Sequence, residues 1–254
     1  MLTEYHCHIL PEIDDGSDSV ETSLKMIEMM KAQGVERICA TPHFYAHREK
    51  SVADYLKKRQ AAFEKIQNDA AITDVHLGAE VAIEHGISEL PDIEKLAIQG
   101  TRIILLEFPY RPYEKWMSEE IYNIATEYKL KVMLAHVHRY LPYYSKDEIE
   151  TILSGKSILQ INNEAFASWK EKRLAKKVMA EHTHFAFGSD AHNLSDCKPN
   201  WDLLQKKVKA ADRGRWQKAL SAVSQTDHQR CRQLLYRSAD QRPDKNRCDR
   251  GLSR

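Results

Sequence analysis

From its start to about residue 192, the chain alternates short apolar runs with longer amphipathic segments. No other feature constrains the fold as strongly, because strands separated by helical segments pair in parallel. Asp18 and Glu21 are spaced as a capping box at the head of "DSVETSLKMIEMMKAQG". In that segment Val20, Leu24, Ile27 and Met30 recur at helical intervals, and Gly34 provides a stop. "VERICAT" predicts a buried strand, residues 52–69 a helix, and "VHLGAEVAI" one further strand. "RIILLEF", "KVMLAHV", "SILQIN" and "HFAFGSDAH" predict the remaining strands, with helices in "SEEIYNIATEY", "SKDEIETIL" and residues 170–182 between them. Strands and helices in about seven cycles predict a single α/β domain whose parallel sheet closes into a barrel.

Polar residues gather where the apolar runs end: "HCH", "ATPH", "GAE", "LLE", "LAHVHR" and "GSDAH". In a β/α barrel the C-terminal strand ends share one face, where active sites are built. Nine donors therefore converge: His6, His8, Asp15, His43, Glu80, Glu107, His136, Asp190 and His192. A single HxH pair reads as solvated or hydrogen-bonded histidine, but recurrence at six strand ends predicts a metal site. A lone catalytic zinc takes about three protein ligands, so this set suits two or three ions, with Glu80 and Glu107 as bridges. Imidazole and carboxylate without thiolate fit Mn, Fe or Zn alike. Cys7, between two donors, points to the opposite face of its strand and packs in the core. His47, His76, His85, His182, His184 and His228 read as structural.

The bulk properties exclude several classes. A chain of 254 residues, 42% hydrophobic and 30% charged, is globular rather than disordered. A net charge of +1 gives no bias toward nucleic acid or an anionic membrane. No apolar run is long enough to insert in a membrane, and "MLTEYHCHIL" lacks the pattern of a secretion signal. The five cysteines form no CxxC pair, which predicts a reduced, cytoplasmic setting.

Taken together, "HCHILPEIDDG", "ATPHF", "GAE", "LLEFP", "AHVHRY" and "GSDAHNL" resemble the polymerase and histidinol phosphatase (PHP) superfamily. The likeness is strongest to its bacterial protein-tyrosine phosphatase branch, encoded with capsule and exopolysaccharide synthesis systems, and runs from about residue 3 to 205 with the motifs in family order. It implies a distorted (β/α)7 barrel, the PHP fold, with the metal site at the C-terminal ends of the strands. It also implies a manganese-preferring cluster of up to three ions. His6 and His8 would open one metal site, and Asp15 and His43 would belong to the neighbouring one. Glu80 would bridge metals, Glu107 and His136 would complete a second ion, and Asp190 with His192 would close the cluster.

The family motif "AHPER" supplies an arginine for the substrate phosphate. Here the motif reads "AHVHR", which aligns Arg139 and replaces proline and glutamate with Val137 and His138. A second phosphate-contacting arginine, common in the family, is replaced by Cys197, with Lys198 beside it. Lysine binds phosphate as a point charge without the guanidinium fork. Either Lys198 reaches in, or this chain binds phosphate more weakly than its relatives.

Such a cluster suits phosphate monoester hydrolysis: water held between two cations ionises near neutral pH and attacks phosphorus, while the cations and Arg139 neutralise the phosphoryl oxygens. A phenolate of pKa about 10 leaves more readily than a serine alkoxide, which favours tyrosine phosphate. No cysteine nucleophile is required. His43, His192 or a bound water serves as general acid; His138 is a further candidate, although a surface histidine beside Arg139 is the simpler account. Phe44, Tyr45, Tyr110, Tyr113, Trp116, Tyr140, Tyr143 and Tyr144 follow the strand ends as either a rim for an aryl ring or outer-layer packing. The implied partner is an autophosphorylating bacterial tyrosine kinase. Rival readings are a histidinol-phosphate or other small-molecule phosphatase, an amidohydrolase, and a non-catalytic metal-binding module.

Beyond about Lys209 basic residues change from mostly lysine to almost all arginine, and periodicity fades after "RWQKALSAV". The expected division is a phosphatase domain over 1–209 and a divergent basic tail over 210–254, either disordered or a frame-shifted reading.

Overall fold

The computed structural model describes residues 2–69, 72 and 74–208. The expected tail, 210–254, lies outside them.

Among the described residues, nine short strands, all paired in parallel, form two sheets. The smaller contains β1 (Thr3–Cys7), β2 (Arg37–Ala40) and β4 (Val75–Leu77), in the order β1-β2-β4. The larger runs β3-β5-β6-β7-β8-β9, comprising His43–Phe44, Glu80–Ala82, Ile103–Glu107, Lys131–Leu134, Ile158–Asn162 and Phe185–Gly188. All five residues of β6, "IILLE", are buried, as expected of a parallel strand covered on both faces.

"VHLGAEVAI", expected as one strand, is broken at Gly78–Ala79, and its halves β4 and β5 belong to different sheets. Packing explains the break. A Cβ on Gly78 would sit 2.9 Å from the Ile98 side chain, so only glycine lets the chain pass there. "VERICATPHF" likewise divides into β2 and β3. The free edge of β1 meets the chain after β9: His8 N donates to Ala191 O at 2.9 Å and Asp190 N to His6 O at 2.8 Å.

The α-helices of the described residues are α1 (Val20–Ala32), α2 (Val52–Glu64), α3 (Lys115–Glu127), α4 (Lys146–Ser154), α5 (Trp169–Glu181) and α6 (Trp201–Lys207). Two expectations for α1 are corrected. Its N-cap is Ser19, whose hydroxyl accepts from Thr22 N, because Asp18 instead accepts from the Thr22 hydroxyl. Its buried stripe is Ser23, Met26, Ile27 and Met30, leaving Val20 exposed. The serine expected to open α4 does so in a full capping box, Ser145 with Glu148.

Candidate metal centre and active site

The six motif-bearing segments end on one face, and their polar side chains meet around Glu80. Glu80 Oε2 lies 3.0 Å from His6 Nε2, 3.2 Å from His8 Nε2 and 3.2 Å from His43 Nδ1. Asp190 Oδ1 is 3.2 Å from His6 Nε2 and 3.3 Å from His8 Nε2, and the two Nε2 atoms are 3.3 Å apart. Four ligands at about 2.0–2.2 Å from one cation are separated from each other by about 3.3–3.6 Å in a tetrahedron, so these spacings, slightly contracted, suit a single ion.

Two further groupings adjoin this one. His43 and Glu80 gather with Glu107, while His8 and His43 gather with Asp15 and His192. Glu80 Oε1 faces the third direction, 2.9 Å from His136 Nε2, which is also 3.5 Å from Glu107 Oε1. One Glu80 oxygen thus looks toward His6, His8 and His43 and the other toward His136. All nine expected donors lie in this continuous cluster. Asp15 is its outermost member, 74% exposed, with Oδ1 3.5 Å from His43 Nε2 and 3.7 Å from His192 Nε2.

Glycine closes the site tightly in two places. A Cβ on Gly16 would lie 2.4 Å from both His8 Cβ and His8 O; one on Gly188 would lie 2.9 Å from Glu4 Oε1 and 3.0 Å from His6 Cβ. Two donors have unusual backbones: His136 has φ of 28° and Asp190 of 51°. For non-glycine residues this costs about 1–3 kcal/mol and persists where surrounding structure demands it. Gln160 supplies part of that demand, its Oε1 accepting from His136 N at 2.6 Å and standing 3.2 Å from His6 Nδ1.

The supporting shell was not foreseen from sequence. Asp14 Oδ2 bonds His8 Nδ1 at 2.7 Å, directing His8 Nε2 to the cluster. Asn162 Nδ2 donates to Asp190 Oδ2 at 3.0 Å. Buried Glu4 accepts from His6 N, Ser189 N and Trp201 Nε1, tying β1, the end of β9 and α6 together beneath the site. The only sequence signal for Gln160, Asn162 and Glu4 was a polar residue inside an otherwise apolar run.

The electrostatics call for cations. Glu80 is 1% exposed and Asp190 3%, with Glu107 nearby and Arg139, among the described residues, the one permanent positive charge contacting the group. Burial opposes ionisation of Glu80 and Asp190, yet the imidazoles hold both carboxyls well below their usual range. Conversely, burial disfavours the His136 imidazolium, but the Glu107 and Glu80 carboxylates raise it to about 9. Glu80 Oε2, Asp190 Oδ1, His43 Nδ1 and His136 Nδ1 are buried without a hydrogen-bond partner. A cluster of orphaned carboxylate and imidazole atoms is a donor set that fits hard or borderline divalent ions.

Arg139 spans the edge of the cluster. Its Nη1 is 2.7 Å from Asp190 Oδ2, and Glu164 Oε1 accepts from Nη2 at 2.6 Å and Nε at 3.1 Å. His138 is a correction: it is buried rather than a surface histidine, because the 3-10 turn Val137–Tyr140 directs it inward. Burial lowers its pKa to about 4. Lys198 is exposed. Cys197 is half-buried, its carbonyl accepting from His192 N at 2.8 Å. Burial raises the thiol pKa of Cys197, as it does for Cys7 and Cys39, so none of these three is an activated nucleophile.

The aromatics divide. Phe44, Tyr140 and Tyr144 are buried and pack in the core, whereas Tyr110 is 44% exposed and stacks over His136 at 6.0 Å between ring centroids. Tyr45, Tyr110 and Trp116 line a cleft of about 420 Å³ that opens beside Glu107. His85 stacks on Trp116 at 3.7 Å.

A parallel α/β scaffold with this centre at its strand ends defines a class of metal-binding hydrolase sites. Over residues 2–220 the sequence matches the model of the family described as capsular polysaccharide synthesis, CpsB/CapC, and the chain belongs to that family. It is 29% identical to tyrosine-protein phosphatase YwqE of Bacillus subtilis, over 76% of this chain and 78% of that one. Against tyrosine-protein phosphatase CpsB of Streptococcus agalactiae serotype V it is 25% identical, over 84% and 92%. Among solved structures it is similar to one from a study of YwqE from B. subtilis and CpsB from Streptococcus pneumoniae, described as unique metal-dependent tyrosine phosphatases. The TM-score is 0.66 at 21% identity, over 80% of this chain and 84% of that one.

Proposed function

We propose that the chain is a metal-dependent phosphomonoester hydrolase acting as a protein-tyrosine phosphatase on a bacterial tyrosine kinase that controls capsular or exopolysaccharide synthesis. The observation that carries this reading is the convergence of His6, His8, Glu80 and Asp190 on one point, with Arg139 Nη1 2.7 Å from Asp190 Oδ2. The tyrosine-protein phosphatase relatives within the same family support the substrate class. Two or three ions, manganese by preference and iron or zinc as substitutes, would be held by the nine donors. When bound they supply Lewis acidity and an ionised water.

The protein's own groups account for the rest. Arg139 has five N–H donors; Glu164 and Asp190 engage three and Tyr110 is hydrogen-bonded to it as well, so phosphoryl oxygens would compete with these partners for the guanidinium. Lys198, at the exposed edge of the same loop as Cys197, supplies a second, weaker positive charge. Tyr110 and Tyr45, at the mouth of the cleft, flank the phenol ring and exclude water from it. His43 and His192 face Asp15 Oδ1 from two sides and are the routes by which a proton reaches the leaving oxygen or departs.

On this reading the parallel α/β fold is a distorted (β/α)7 barrel, and the phosphatase domain is the expected 1–209. β2 with β3 and β4 with β5 each count as one broken strand, and the Cys7–Ala191 bridge supports closure between β1 and β9. Among the described residues, no helix is long and apolar enough to cross a membrane. We place the protein in the cytoplasm, where its phosphotyrosine partner would be exposed.

Metal analysis joined to manganese-dependent turnover of a phosphotyrosine peptide tests the proposal, with histidinol phosphate as the competing substrate. Turnover that survives thorough chelation, a trapped phosphocysteine, or preference for histidinol phosphate would each overturn it.

A further inference from the structure

We propose that the groove between α4 and α5 is a docking site for an acidic segment of the protein substrate, separate from the site that holds the phosphate. This rests on the phosphatase reading above. The groove encloses about 640 Å³. Leu141, Tyr144, Ile149 and Leu174 form its apolar floor, and Lys146, Lys170, Arg173 and Lys177 its rim.

The helical repeat creates this surface. Lys170, Arg173, Leu174 and Lys177 stand at i, i+3, i+4 and i+7 along α5, hence on one face. Lys146, Ile149 and Glu150 stand at i, i+3 and i+4 on α4 and face them. Of the four cations, Lys177 is paired with Glu150, the only carboxylate in the lining. Lys170 and Arg173 make no hydrogen bond or ion pair among the described residues, so their charge is available. A rim of cations around an apolar floor complements a peptide that mixes acidic and apolar side chains. An extended polyanion would want a continuous basic face instead, and the chain as a whole carries only +1.

The groove adjoins the segment that carries Arg139. Leu141 follows the turn that carries Arg139, and Tyr144 stacks on Tyr140 at 5.2 Å between centroids. Glu171, the neighbour of Lys170, lies within the field of both Arg139 and Glu164. Trp169, at the first position of α5, is 75% exposed and adds an aromatic anchor of the kind enriched in binding hot spots. A substrate whose phosphotyrosine reaches Arg139 would lay its flanking residues across α5.

The test compares the wild type with K170A/R173A, whose exposed side chains support no other contact. Anisotropy of a labelled acidic peptide without phosphate reads docking directly, whether or not the protein is a phosphatase. Affinity should fall about five- to tenfold in the variant and weaken with salt in the wild type. In turnover, kcat/KM for an acidic phosphotyrosine peptide should fall by the same factor, while p-nitrophenyl phosphate is hydrolysed unchanged. Equal peptide affinity in both proteins would overturn the proposal. So would an equal loss on a neutral phosphopeptide, or a single-stranded oligonucleotide that displaces the acidic peptide at lower concentration. Peptide binding lost in the variant, with no phosphatase activity in the wild type, would instead refute the catalytic reading and leave the groove established.

Discussion

Asp14 Oδ2 lies 2.7 Å from His8 Nδ1, and the same oxygen accepts from the backbone of His43 at 2.9 Å. One carboxylate outside the donor set therefore fixes the tautomer of one donor and the backbone of another. Asp14→Ala should weaken metal affinity about 10–100-fold, the usual effect of losing such a partner. Calorimetric metal titration checks it; unchanged affinity would mean that packing alone orients His8.

The protonation of the metal-free cluster predicts a pH dependence. His136 titrates at about 9 when folded, against an ordinary 6.5. Its folded pKa is raised, so its contribution to stability is complete below about 6.5 and is lost as pH rises through 9. Melting temperatures in chelator should decline across that window. Because a cation must displace the same proton, metal affinity should rise over the same range and loading should release protons, measurable in buffers of different ionisation enthalpy. A flat profile would show that His136 is neutral in the metal-free protein.

Cys197 holds the loop through its backbone: its carbonyl accepts from His192 N and its nitrogen donates to Asn193 Oδ1. Its half-buried side chain feels the charges of Glu164, Asp190 and Arg139. Cys197→Arg should leave the loop intact and bring a second guanidinium toward the phosphate. The Michaelis constant for an aryl phosphate should fall severalfold with little change in kcat; an unaltered constant would remove Cys197 from the phosphate's surroundings.

If Arg139 holds the substrate phosphate as proposed, Glu164 competes with it, since both are anions seeking the same donors. Hydrogen bonding to His138, then the charge and hydrogen bonds of Arg139, hold the Glu164 carboxyl down to about 2, although burial acts in the opposite sense. Glu164→Gln keeps the Oε1 acceptor and removes the charge. Inhibition by inorganic phosphate should tighten about three- to tenfold, a shift of order one kcal/mol. Weaker phosphate inhibition would instead assign Glu164 to positioning the guanidinium.

Gly16 admits no side chain, since a Cβ there would fall 2.4 Å from His8 Cβ. Gly16→Ala should destabilise the protein by about 1–3 kcal/mol through overpacking and displace Asp14 and Asp15 together. Chemical denaturation and metal titration would register both effects.

The sequence by itself determined the alternation of parallel strands and helices, and which residue types stand at the strand ends, because both follow from local periodicity. His6, His8, Glu80, Glu107, His136 and Asp190 were legible on that ground, as was Cys7 turned into the core. Only the tertiary structure decided the break at Gly78–Ala79, where packing interrupts a pattern that reads as one strand. It also decided the partners of the donors. Asp14, Gln160, Asn162 and Glu164 carry no spacing signal of their own, since their roles arise from contacts across 6 to 154 residues of chain. His138 went inward for the same reason: the turn after β7, rather than its neighbours in sequence, set where its side chain points.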